Sequence, residues 1–136
     1  MMTAFIIVVI HFIADFIFQA EEWAVNKSKS GRALLSHTIT YSVIWFLGAT
    51  FLFNEPCDAS PIIGYCVDTI KCFKFASTTF VAHTITDYLT SRVVSQKFAN
   101  NEYGSPIPNL GAFTIIGFDQ VLHYGQLFGT YYLLTN

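Results

Sequence analysis

His83-Thr-Ile-Thr-Asp87, set in the run FVAHTITDYL at positions 80–89, is the stretch on which the reading of the fold turns. A histidine and an aspartate stand four residues apart among apolar neighbours. On a helix, positions i and i+4 lie one above the other on the same face, ~6 Å apart at ~1.5 Å of rise per residue. The same device occurs twice more: His11/Asp15 in IIVVIHFIADFIFQ (6–19) and, reversed, Asp119/His123 in IIGFDQVLHYG (115–125). Each pair is a ready chelate or hydrogen-bonded couple. Ionisable groups in apolar surroundings are costly, so three matched pairs point to a shared purpose beyond packing.

Working outward, the 136 residues support a single domain, 1–136. They are 53% hydrophobic and only 12% charged, where a soluble domain usually has ~25% charged residues. Mean hydropathy is positive at +0.47. These values predict an all-α integral membrane four-helix bundle. The net charge of −2 leaves no basic surface, and no RNA- or DNA-binding motif is present, so nucleic acid is excluded as a partner.

Four apolar runs set the expected spans at about 3–20, 33–53, 75–95 and 112–134. Residues 3–20 lack the basic n-region and cleavage site of a signal peptide, so the run reads as a retained helix with Gln19 continuing its polar stripe. In EEWAVNKSKSGR (21–32), Trp23 suits a headgroup level and Lys27, Lys29 and Arg32 form a basic cluster that reads as a topology signal. His37 and Tyr41 share a face of the second run. Within the 54–74 loop, Ser60-Pro61 reads as a cap and first position of a short surface helix carrying Ile62, Ile63, Val67 and Ile70. Cys57, Cys66 and Cys72 fall here, compatible with one disulfide and a spare thiol or with three free thiols. The third run carries Thr79, His83, Asp87 and Ser91 as one i+4 stripe, and in the fourth Gly125 and Gly129 are spaced for close helix approach, which would also suit a homo-oligomer.

Lys27, Lys29, Arg32, Arg92 and Lys97 fall on one side of such a bundle, against Lys71 and Lys74 on the other. By the positive-inside rule this predicts loops 21–32 and 96–111 cytoplasmic and both termini outside, with the lipid bilayer as partner. The first and third helices then run inward and the fourth outward. All three aspartates would share one layer, joined by His37, with the other histidines about one turn deeper.

Three buried aspartates need compensation, at ~2.5 to 3.5 kcal/mol each on the insertion scale. A divalent metal held by His11, Asp15, His37, His83, Asp87, Asp119 and His123 would supply it, zinc first, with manganese, iron or nickel also suited to nitrogen and carboxylate donors. Gln19, Tyr41 and Gln120 would orient those ligands, and Asp15, Asp87 or Asp119 would serve as the catalytic carboxylate. A metal-free network of imidazolium and carboxylate groups is the alternative.

The run HFIADFIFQ, Asn26-Lys27, His37 with Tyr41, HTITD at 83–87 and DQVLH at 119–123 resemble, in order and over nearly the whole chain, a bacterial and phage membrane family known as domain of unknown function 3307. That resemblance implies a small multi-pass membrane protein with a bacterial inner-membrane location, bacterial or phage-encoded, and brings no activity with it. Three functions fit the residues. The first is a metal-dependent hydrolase of a lipid or other membrane-associated substrate. The others are a transporter or channel component for protons or metal ions, and a non-catalytic interaction protein of phage or bacterial origin with a metal-free polar core.

Overall fold

A computed structural model of the chain describes residues 1–57, 65–100 and 110–136. Helix α1 (Met2–Phe12) runs into a π-helical turn (Ile13–Ile17), followed by the short α2 (Glu21–Asn26), α3 (Gly31–Ala49), strands β1 (Asn54–Pro56) and β2 (Tyr65–Val67), and the long helices α4 (Thr69–Ala99) and α5 (Leu110–Thr135). Local chemistry explains several boundaries. Ser30 caps α3 by accepting from the Ala33 amide at 3.3 Å, and Asp68 caps α4 by accepting from the Lys71 amide at 2.9 Å. Glu21 and Glu22 fill the first turn of α2, where negative charge complements the helix dipole.

The expected integral membrane bundle is overturned. Among the described residues no helix is long and apolar enough to cross a membrane. The reason differs from element to element. The run 3–20 breaks after the 11 residues of α1, about 17 Å at ~1.5 Å per residue, into the π turn. In place of the spans 33–53, 75–95 and 112–134, α3, α4 and α5 are long enough but carry their histidines, threonines, aspartates and glutamines too densely. The bacterial inner-membrane location and the assignment of outside termini and cytoplasmic loops fall with the spans. Part of the supposed loop 21–32 is α2, and α4 extends into the supposed loop 96–111.

The 54–74 segment is also corrected. β1 and β2 pair antiparallel in the register Asn54↔Val67, Glu55↔Cys66, Pro56↔Tyr65, and the ribbon is tied by a Cys57–Cys66 disulfide. Val67 lies in β2 and Ile70 in α4, so neither belongs to a separate surface helix; Ser60, Pro61, Ile62 and Ile63 lie outside the described residues. Cys72 is free and buried.

α4 packs against both α3 and α5, and α1 touches α3 and α5. One end of the interior is apolar, built on Trp45, Phe53, Phe75 and Leu127. The rest is polar: His11, Asp15, His37, His83, Asp87, Asp119 and His123 are all buried. Conversely, large apolar side chains such as Phe5, Val43, Leu47, Ile85, Val121 and Leu133 are exposed. Among the described residues nothing lies within 4 Å of a Cβ built on Gly125 or Gly129, so the close approach read from their spacing is not made there. It is made at Gly48, where an added Cβ would stand 2.8 Å from Ile10 Cγ2.

Candidate metal centre

Four elements deliver the site. The π turn carries Asp15, with the Phe18 amide donating five residues back to the Ile13 carbonyl at 3.0 Å. α3 carries His37, α4 carries His83 and Asp87, and α5 carries Asp119 and His123. His37 Nε2 lies 3.0 Å from His83 Nε2 and 3.2 Å from both Asp15 Oδ1 and Asp87 Oδ2. His83 Nε2 is 3.6 Å from each of the same two oxygens. His37 thus sits among the carboxylates and the other imidazoles stack behind.

Two overlapping groups of buried side chains, Asp15/His37/His83 and His83/Asp87/His123, have one donor atom each within 4.8 Å of one another and could hold a metal ion. The first fits best. A tetrahedral ion with bonds of about 2.0–2.2 Å spaces its ligands about 3.3–3.6 Å apart, against 3.0, 3.2 and 3.6 Å here. Asp15 Oδ1 is also buried without a hydrogen-bond partner among the described residues, a costly state for a carboxylate oxygen. Asp87 Oδ2 is at hand as a fourth donor.

His83 links the groups. Its Nδ1 is 3.2 Å from His123 Nδ1 while its Nε2 faces His37, so it has an imidazole on each side. Two N–H groups cannot face each other across such gaps, and a neutral imidazole carries one N–H, so each contact holds one hydrogen. His83 can therefore offer a lone pair through one nitrogen only, and the two groups are alternatives. If Nε2 binds, Nδ1–H donates to His123 Nδ1, and His123 Nε2–H faces Asp119 Oδ2 at 3.3 Å and Asp87 Oδ1 at 3.5 Å. Tyr41 stacks on the His83 ring at 3.7 Å between centroids and 9° between planes.

Electrostatics favours the carboxylates and His83 as donors, whereas His37 would have to give up a proton to ligate a metal. Burial pushes the Asp15 and Asp87 carboxyls up, but neighbouring histidines and Lys27 outweigh it, and both stay well below the usual carboxylate range. Burial drives His83 well below an ordinary imidazole, so it is neutral. Burial opposes charge on His37 and His123 too, yet carboxylates beside them win: His37 is raised and His123 is lifted to about 9.

Other expected residues fall into place around this core. His11 is not brought to the donor group. Gln120 Oε1, which can only accept, lies 2.7 Å from His11 Nε2, so His11 donates there and its Nδ1 accepts from the Tyr41 hydroxyl at 2.7 Å. Burial keeps its pKa below the ordinary value. Gln120 Nε2 donates to Asp15 Oδ2 and Asp119 Oδ2, both at 3.2 Å, tying three expected site residues together. Asp119 Oδ1 accepts from Thr90 at 2.7 Å. Gln19 accepts from Lys27 Nζ at 3.4 Å, orienting that ammonium instead of a ligand.

Lys27 is the residue that sequence reasoning misplaced. Counted as a topology charge, it donates from the end of α2 to Asp87 Oδ2 at 2.8 Å. Its only signal was its place beside Asn26 among the positions that carry the family resemblance. Lys27, Asp15, Asp87, Asp119, Thr90 and Ser91 all face a cavity of about 460 Å³ that leads from the donor group to the surface.

The chain matches the family described as protein of unknown function (DUF3307) over residues 3–135, and it belongs to that family. No curated protein and no solved structure matches it.

Proposed function

We propose that this member of the family is a metal-dependent hydrolase, with zinc held by Asp15, His37 and His83 and with Asp87 as fourth donor or as the carboxylate beside an open fourth position. The observation that carries the reading is the buried Asp15 Oδ1, which accepts no well-aligned hydrogen bond among the described residues and stands 3.2 and 3.6 Å from two imidazole nitrogens, in a residue that lines a cavity. Two nitrogens and one or two carboxylate oxygens are donors that suit zinc, and three-ligand sets leave room for a substrate. A zinc ion bound there would act as a Lewis acid and make water nucleophilic near neutral pH. Asp119, which faces the cavity, would hold a proton during attack. His123 and Asp119 act behind His83 as the outer chain that fixes its tautomer.

Metal analysis of the purified protein, followed by titration of the metal-free form with zinc, tests this. One equivalent per chain is expected in the wild type and a loss in Asp15→Asn and His83→Ala that retain the helical circular dichroism of the wild type. A folded wild type that takes up no zinc, manganese, iron or nickel overturns it.

The hydrogen-bonded row His37, His83, His123 favours a second reading, a metal-free core in which one proton moves along three imidazoles. It predicts an unchanged imidazole nitrogen resonance pattern on adding zinc, whereas ligation shifts the His37 and His83 signals.

A further inference from the structure

Resting on the metal reading above, we infer that the cavity takes an uncharged acyl ester or amide with an apolar acyl chain. Its charged lining groups among the described residues are three carboxylates, Asp15, Asp87 and Asp119, against one ammonium, Lys27. A divalent ion at the donor group brings that set to neutrality and no further. An anionic head such as a phosphate would meet carboxylates with no spare positive charge. A neutral carbonyl fits.

The polar floor offers such a carbonyl two donors. Lys27 lines it, with a third N–H left after Nζ donates to Asp87 and Gln19, and Ser91 lines it with an Oγ that is buried and without a hydrogen-bond partner among the described residues. A buried hydroxyl left unsatisfied is destabilising unless a ligand completes it. The rest of the wall mixes polar side chains such as Ser28 and Ser95 with a larger apolar share. Phe16, Val25, Phe98 and Ile116 line the cavity and are exposed, so an acyl chain leaving the floor runs along hydrocarbon to the mouth. About 460 Å³ is within the roughly 300–1,000 Å³ of small-molecule pockets. Hydrolysis would form a bond from the water oxygen to the carbonyl carbon and break the bond to the alcohol oxygen or amide nitrogen. A proton from the water leaves on that atom.

The experiment is calorimetric titration of the zinc-loaded wild type with acetamide, octanamide and octyl phosphate, with zinc content measured on the same sample. Each methylene removed from water is worth about a fourfold gain in affinity, so octanamide should bind at least about tenfold tighter than acetamide. It should also outcompete octyl phosphate. Phe98→Ser, a surface change, should narrow the octanamide-to-acetamide ratio by about fourfold or more at unaltered zinc content, and p-nitrophenyl octanoate should be cleaved with higher kcat/KM than the acetate. Equal binding of the two amides, or tighter binding of octyl phosphate, at full zinc content overturns the substrate assignment and leaves the metal site standing. A wild type without zinc removes the site itself.

Discussion

His123 is not itself one of the proposed zinc ligands Asp15, His37 and His83, yet two measurable properties depend on it. With His83 ligating through Nε2, the Nδ1–H of His83 needs an acceptor, and His123 Nδ1 is 3.2 Å away. His123→Leu removes that acceptor and should weaken zinc binding about 10- to 100-fold, the usual effect of losing an outer-shell partner. His123→Asn, which can still present an oxygen, should recover part of the loss. The second property is stability of the metal-free protein. The His123 pKa is raised to about 9 in the folded chain, above the ~6.5 of an unfolded histidine. Its contribution is therefore fully present below pH ~6.5 and is lost as pH rises through about 9. Urea unfolding between pH 6 and 10 should show that decline in the wild type and a flatter profile in His123→Gln.

At the scale of elements, the π turn and the α1–α3 crossing set where Asp15 stands. A π turn widens the helix locally, and such turns are frequent at functional sites. Here it directs Asp15 toward His37 on α3 and leaves it 3.8 Å from His11 Nε2, its i+4 neighbour. α1 can come this near because Gly48 has no side chain. In Gly48→Ala the new Cβ would meet Ile10 Cγ2 and Cδ1 at 2.8 and 2.9 Å, and overpacking of this kind typically costs about 1–3 kcal/mol. Thermal unfolding should show the loss, and Ile10→Ala added to Gly48→Ala should restore less than additive damage. A displaced α1 would also carry Asp15 away, so zinc affinity should fall in the single variant and partly return in the double.

For the molecule as a whole, the meeting of distant histidines and aspartates was readable because i+4 spacing on a helix is a rigid consequence of its pitch. Reversal of order in Asp119/His123 was readable for the same reason, since α5 runs against α4. What could not be read was the π turn, which no residue type announces, and the long reach of Lys27 into the carboxylates. The expected spans fail because high hydrophobic content does not by itself make a membrane helix: Phe5, Leu47 and Ile85 are exposed on helices too polar or too short to cross a membrane. Their exposure has its own expected outcome: in buffer without detergent the chain should elute as a species larger than its 15.3 kDa, and a mild non-ionic detergent should reduce that size. Elution as a monomer without detergent would count against it.

With polar groups indoors and many waxy ones outdoors, the vulnerable part of the molecule is its wettable middle. Grease placed there, by swapping one imidazole for leucine, should be borne badly, since it strands the carboxylates which that imidazole faces. Trimming the oily coat to serine or lysine should make the molecule easier to handle while its centre keeps working.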